Sequence, residues 1–348
     1  MKGVTVTILA GGQGTRLWPL STTKKSKPFV RLGPLGRLYQ KTVERAVALE
    51  PGRIVTVGAP MVRSQCRTRH SEFLAEPCAR STAPAVAVAA VYAWAREGPS
   101  GSLLVLPSDH HIRDAGRFVE TVRRLGGVCI REGALGVMGI QPSGPETAYG
   151  YIRAGRPLGE GFAVERFIEK PDRARAERLL AEGGVTWNSG MFFFPLEVLR
   201  EELTKCAPGI WDAAEAWIRA DDPAPYGALN GLSIDYALME KTDRAAMVPA
   251  DFGWSDLGTF PSLYAVLPRD ADGNAGWGPG RVVDCRNCLV ITRRSSVVVK
   301  GLRDQVVVET SDGLLAVPMA EAGDIRRHVE AVSEEAGRGG SAGSGSGR

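Results

Sequence analysis

Residues 9–29, LAGGQGTRLWPLSTTKKSKPF, join a glycine-rich turn to a run of cations. Gly11, Gly12 and Gly14 have no side chain to hold a ligand away, so several backbone N–H groups can turn toward phosphate oxygens. Arg16, Lys24, Lys25, Lys27 and Arg31 lie beside that turn, where phosphate groups would meet them, although such a cluster also reads as a solvated basic face. The turn is not a Walker A loop, because no Gly-Lys-Ser/Thr closes it. Nor is it GxGxxG, because Leu17 stands at the last glycine position. Asp109, in PSDHH, comes just after a buried-strand pattern, the place where a metal-binding carboxylate is presented to ligand phosphates; Asp256, in GWSDLG, is read as its partner. Either aspartate taken alone reads equally well as a cap or turn residue.

These residues need elements to position them. The pattern VTVTILA over 4–10 is β-branched and apolar and ends at Gly11-Gly12, which predicts a buried strand entering a tight turn. Further strands are expected over 54–57, 103–106 and 135–140, with helices over 39–49, 61–74, 84–96 and 118–130. That alternation predicts an α/β architecture of βα units on a largely parallel sheet, which binds ligands at the carboxyl ends of its strands. PRDADGNAGWGPG, within 268–280, lacks apolar periodicity and reads as a linker. Beyond it, short apolar clusters at 282–283, 289–291, 297–299, 306–308 and 314–317 predict a small β-roll or β-helix over 281–332. Residues 333–348 are too poor in apolar side chains to pack, so a disordered tail is expected.

Composition bounds the partners. With 348 residues the chain can fill two cores. A net charge of +4, from 43 basic and 39 acidic residues, is too small to make nucleic acid or an anionic membrane the main partner. No apolar stretch reaches the roughly 18–20 residues of a membrane helix, and the N-terminus lacks the features of a signal peptide, so a cytoplasmic protein is expected. The six cysteines are scattered and read as reduced packing residues, the lone CxxC at Cys285 and Cys288 included.

The string GGQGTRLWPLS resembles the opening of the mannose-1-phosphate guanylyltransferases, within the broader sugar-nucleotide pyrophosphorylases. EPCARSTAPA, LPSDHHI, PETAYGYI, FIEKPD, WNSGMFFF and SIDYALMEK match that family's motifs in the same order. The resemblance implies a Rossmann-like nucleotidyltransferase domain over 1–267 and a left-handed β-helix-like domain over 281–332, in a short form without an isomerase domain. It implies that GTP and a sugar 1-phosphate are the partners, that Mg²⁺ is the cofactor held by Asp109 and Asp256, and that the protein is a homodimer. Gly11, Gly12, Gly14, Thr15 and Ser108 would lie along the nucleotide. Arg16 and Lys27 would hold the triphosphate and, with Asp109, form the catalytic set. Glu76, with Ser81, Thr82 and Ala83, would face the guanine, since a carboxylate accepts from its N1–H and amine. Tyr149, Gly150, Glu169, Lys170 and Asn188, again with Asp109, would bind the sugar phosphate.

No general base is required, because a sugar 1-phosphate, with a second pKa of about 6, is already anionic at neutral pH. His110 and His111 are accordingly read as structural. Four positions depart from the family's pattern: Thr22, Pro28, Ser81 and Ala148. They border the donor and acceptor sites and leave Lys27, Asp109 and Asp256 untouched, so base and sugar identity stay more open than reaction type. The alternatives are a manno-heptose or glucose 1-phosphate, another nucleoside triphosphate, or a catalytically silent pyrophosphorylase-like subunit that binds sugar nucleotide and regulates a partner.

Overall fold

The computed structural model describes residues 1–12, 15–323, 325 and 329. The chain forms two compact units, one of Met1–Gly11 with Tyr39–Trp254, the other of Gly12–Leu38 with the chain from Ser255 onward. Its strands, in order, are β1 (Val4–Ala10), β2 (Arg53–Gly58), β3 (Glu72–Ala75), β4 (Ser102–Pro107), β5 (His111–Ile112) and β6 (Leu135–Ile140). They continue with β7 (Tyr151–Leu158), β8 (Gly161–Ile168), β9 (Val185–Pro195), β10 (Ala245–Ala250) and β11 (Trp254–Ser255).

The first unit is built on a nine-stranded sheet in the order β3-β2-β1-β4-β9-β6-β10-β8-β7. Nearly every side chain of β1 is buried, as expected of a strand covered on both faces. It pairs in parallel with β2 and β4, with Leu9 opposite Pro107, so Gly11 and Ser108 leave the sheet at the same end. The expected mainly parallel sheet is corrected to a mixed one: β4–β9, β6–β9, β7–β8, β7–β9 and β8–β10 are all antiparallel. The reason is connection length. Only Gly159 and Glu160 separate β7 from β8, and so short a link permits nothing but a hairpin.

This reversal places the residues expected on the sugar side. Because β9 runs opposite to β4 and β6, it begins at the end where those two strands finish. Asn188 stands opposite Gly139 near the end of β6, and Tyr151, the first residue of β7, stands opposite Trp187 and Ile168. Gly150 before β7, Glu169 after β8 and Asn188 early in β9 therefore converge on one end of the sheet.

Helices α1 (Leu38–Ala48), α2 (Thr82–Glu97) and α3 (Ala115–Glu132) cover the strands' crossovers. In α2 the alanine-rich run from Ala83 to Ala93 is buried throughout, its small side chains allowing close approach to β1, β2 and β4. Asp114 caps α3 by accepting from the Arg117 N–H at 3.0 Å, and Gly133 ends it with a left-handed φ of 58°. The helix expected over 61–74 does not form: a short 3-10 turn at Pro60–Val62 is followed by loop and then β3, parallel to β2. No apolar residue lies between Cys66 and Phe73, so no helical face could be buried there.

In the second unit, β12 (Ala275–Trp277), β14 (Leu289–Ile291) and β16 (Gln305–Thr310) pair in parallel, and β17 (Gly313–Pro318) closes that sheet antiparallel to β16. A parallel pair, β13 (Arg281–Val283) with β15 (Val298–Lys300), forms a second layer. The five apolar clusters of the sequence coincide with β13 to β17, whereas the expected linker 268–280 contains β12 and belongs to this unit. Leu17, Leu20, Val30 and Leu32 from the N-terminal loop share its core with Phe260, Leu263, Leu289, Ile291, Val306 and Val308. Gly313 is required where β17 begins, since a Cβ there would stand 2.5 Å from the Trp18 ring. Residues 333–348, expected to be a tail, lie outside the described residues. Among the described residues, no helix is long and apolar enough to cross a membrane.

Candidate active site

Glu169 is a carboxylate taken almost wholly out of water, only 9% exposed. Its Oε1 accepts from Lys170 Nζ at 2.5 Å and its backbone N–H donates to Glu240 Oε1 at 2.7 Å, while Oε2 is buried without a partner among the described residues. Gly150 makes room for that oxygen: a Cβ at 150 would lie 2.5 Å from Oε2 and 3.2 Å from the Asn188 Cβ. Asn188 is 8% exposed and fixed at both ends of its amide. Its N–H donates to Asp235 Oδ1 at 2.8 Å, its Oδ1 accepts from the Gly190 N–H at 2.8 Å, and its own backbone N–H donates to the Gly150 carbonyl at 2.7 Å.

Burial, and after it the neighbouring Asp235 carboxylate, push the Glu169 carboxyl up to about 7, against the opposing hydrogen bond from Lys170. Burial also raises the Asp235 carboxyl. Two carboxylates in one dry cluster resist ionising together, and Lys170 and the Asn188 amide are what steady them. The result is a buried cluster of fixed acceptors and donors, chemistry suited to reading hydroxyl groups.

Asp235 was not among the residues chosen from sequence, although SIDYALMEK carries it. The available signal was an acid inside an apolar run, and its placement at the start of a π-helix, Asp235–Met239, is a geometry found often at functional sites. Trp254 was also missed. Its ring meets that of Tyr149 edge-on at 5.1 Å, Tyr149 meets Trp187 at the same centroid distance, and Trp254 Nε1 donates to His110 Nδ1 at 3.1 Å. Tyr149 thus belongs to an aromatic wall beside Gly150.

At the end of β4, the Ser108 N–H donates to the Leu9 carbonyl at 3.2 Å, and the Ser108 hydroxyl is buried without a partner among the described residues. Asp109 follows, its side chain about a third exposed. Gly11 is exposed after β1. On the expected guanine side, Glu76 is buried, and its Oε1 accepts from the Tyr226 hydroxyl at 2.7 Å. Burial pushes its carboxyl above the ordinary carboxylate range. Ser81 has a φ of 68° and precedes α2 without capping it. Thr82 Oγ1 accepts from the Ile234 N–H at 2.9 Å and the Ala83 N–H donates to the Leu232 carbonyl at 3.1 Å, so this loop is tied to the segment leading to Asp235.

The remaining expected residues lie in the second unit. Gly12 has a φ of 91° and open space around it, so backbone conformation rather than crowding calls for glycine. Gly14 lies outside the described residues, and Thr15 and Arg16 begin a 3-10 turn from which Arg16 is exposed. Lys27 is no surface lysine: it is 5% exposed, and its Nζ donates to the Asp256 carbonyl at 2.5 Å. Asp256 Oδ1 accepts from the Gly258 N–H at 2.9 Å, and a Cβ at 258 would come within 2.5 Å of Oδ2. Asp109 and Asp256 are hard oxygen donors of the type that Mg²⁺ takes together with phosphate oxygens and water. Among the described residues, no group of three or more His, Cys, Asp or Glu side chains could hold a metal ion by itself.

Residues 5–273 match the nucleotidyl transferase family. The chain is 42% identical over 331 residues to the xanthan biosynthesis protein XanB of Xanthomonas campestris pv. campestris, covering 90% of this chain and 70% of that protein. It is 35% identical over 347 residues to the mannose-1-phosphate guanylyltransferase of Klebsiella pneumoniae, covering 94% and 73%. A crystal structure described as mannose-1-phosphate geranyltransferase from Thermus thermophilus superposes with a TM-score of 0.86 at 32% identity, over 95% of this chain and 99% of that one. The chain belongs to the nucleotidyl transferase family.

Proposed function

We propose that this nucleotidyltransferase joins GTP to α-D-mannose 1-phosphate, releasing GDP-mannose and pyrophosphate. The observation that carries the sugar side is the unpartnered, buried Oε2 of Glu169 beside the fixed amide of Asn188 and the cleared space at Gly150. A hexose hydroxyl would supply the missing donor, and Lys170 would meet the sugar's phosphate.

In this reading an oxygen of the sugar phosphate attacks the α-phosphorus of the nucleotide. The new P–O bond forms as the bond to the bridging oxygen breaks, and pyrophosphate leaves with its electron pair. No protein base removes a proton, since the nucleophile is anionic at neutral pH. The residues' work is charge and alignment: Arg16 and Lys27 balance the triphosphate, and the glycine turn offers N–H donors. Mg²⁺, held by Asp109 and Asp256 with phosphate oxygens, would neutralise charge on the reacting phosphates. Glu76, Ser81, Thr82 and Ala83 are assigned to the guanine, and Tyr149 to the wall of the sugar pocket.

Self-association through the second unit is part of the same proposal. The side chains of Val283 and Val298 are exposed on one face of the β13–β15 pair, which supports it. Incubation with each of four nucleoside triphosphates and a panel of sugar 1-phosphates, read by pyrophosphate release, tests the reaction. Highest kcat/KM with GTP and mannose 1-phosphate is the expected result. Preference for another pair would move the substrate assignment, and no release with any pair would favour a silent subunit.

A further inference from the structure

Arg45 lies on α1 with only 7% of its surface exposed. A buried guanidinium is costly unless charge or hydrogen bonds compensate it. Here its Nη2 donates to Thr42 Oγ1 at 2.8 Å, one turn earlier on the same helix, and to the carbonyl oxygen of His110 at 3.1 Å. No carboxylate forms an ion pair with it among the described residues; the adjacent Glu44 pairs instead with Lys41. Burial lowers the Arg45 pKa to about 10, so it stays cationic at neutral pH. Its charge also reaches His111, whose imidazole is held below its usual range by burial first and then by Arg45 and Arg113.

The His110 carbonyl is the one immediately after Asp109. On the other side of Asp109, the Ser108 N–H is bound to the Leu9 carbonyl of β1. The His110 ring is held as well, by Trp254 Nε1, and farther on the Arg113 N–H donates to the Gly253 carbonyl at 3.1 Å. Asp109 is thus the residue between two clamps, one from β1 and one from α1. A surface arginine could not supply the second, because water would compete for the carbonyl.

From this juxtaposition of a buried guanidinium and the His110 carbonyl, we infer that Arg45 is a positioning residue that sets how Asp109 presents its carboxylate to a divalent cation. The inference rests on the proposal that Asp109 is a metal ligand. Partners that orient a ligating side chain commonly change metal affinity by about 10–100-fold when removed.

The test uses the full chain with GTP bound and Mn²⁺ as the spectroscopic probe, its binding followed by electron paramagnetic resonance. Arg45→Met is expected to weaken Mn²⁺ binding by about tenfold or more and to lower kcat, with the KM for mannose 1-phosphate changing little. Arg45→Lys keeps the charge without the planar fork and is expected to lose less. A merely stabilising arginine would lower the melting temperature and leave Mn²⁺ affinity alone. Wild-type Mn²⁺ affinity in a folded Arg45→Met protein overturns the inference; if that variant does not fold, wild-type affinity in Arg45→Gln, which also lacks the charge, does so. Unchanged Mn²⁺ affinity in Asp109→Asn overturns the role of Asp109 itself, an outcome read on a separate variant and therefore distinct.

Discussion

Glu169 carries opposed demands in one side chain. Its burial favours the neutral acid, while Lys170 favours the carboxylate, and the balance leaves its pKa at about 7, above the 4.5 of a free glutamate. The folded protein consequently binds a proton that the unfolded chain has released between those two values, so stability falls as pH rises through that window. Glu169→Gln is predicted to remove this contribution: urea denaturation at pH 5 and pH 8 should differ less in the variant than in the parent. The same substitution removes a strong acceptor from the pocket. Glu169→Ala is expected to raise the KM for mannose 1-phosphate, or lower its kcat/KM, by at least about tenfold, equivalent to roughly 1.4 kcal/mol, with little change for GTP. Equal effects on both substrates, or none, would remove Glu169 from the sugar site. Asp235→Ala should behave differently, because it leaves the buried Asn188 amide without its acceptor. A stability loss of about 1–3 kcal/mol is expected in addition to weaker sugar binding.

At the scale of elements, the two turns proposed to carry the chemistry depend on different things. Gly150 is a matter of space, since a methyl group there would meet both Glu169 and Asn188. Gly150→Ala is predicted to cost sugar affinity by about tenfold, because a methyl group 2.5 Å from Glu169 Oε2 must displace that carboxylate. A variant with unchanged kinetics for both substrates would mean that the pocket lies elsewhere. The turn from Ser255 to Gly258 works through Lys27, whose buried ammonium is bound by the Asp256 carbonyl. In the proposed reaction its charge counts most in the transition state. Lys27→Met is therefore predicted to lower kcat/KM by roughly a hundredfold or more, and an unaltered value would transfer the phosphate clamp to Lys24 or Lys25.

For the molecule as a whole, the proposed reaction requires a divalent cation. Chelation is predicted to abolish pyrophosphate release and added Mg²⁺ to restore it. Asp109→Asn and Asp256→Asn should each remove most turnover while melting as the parent does. Near-normal turnover of both variants at limiting Mg²⁺ would falsify the assignment of the cation to these aspartates. Self-association is the second whole-molecule expectation: sedimentation at micromolar concentration should report a dimer, and Val298→Asp, on the exposed β15 face, should shift it toward monomer. A monomer in the parent protein would count against that part of the proposal.

What the sequence determined by itself was local. VTVTILA followed by glycines, SLLVL followed by PSDHH, and the five short apolar clusters after 280 each name a strand and its exit, because apolar period and turn chemistry are written within a few residues. The motif strings likewise pointed to Gly150, Glu169 and Asn188 before any contact among them was known. Tertiary structure decided what depends on distant partners. The sheet is mixed because β9 enters between β4 and β6 in the opposite direction, and nothing within WNSGMFFFP specifies its neighbours. Lys27 looked like one cation among several until the turn at Asp256, far along the chain, enclosed it. Asp235 and Arg45 had no motif of their own to mark them. Their significance comes from burial beside Asn188 and His110, and burial is a property of the packed chain, which no local window of sequence contains.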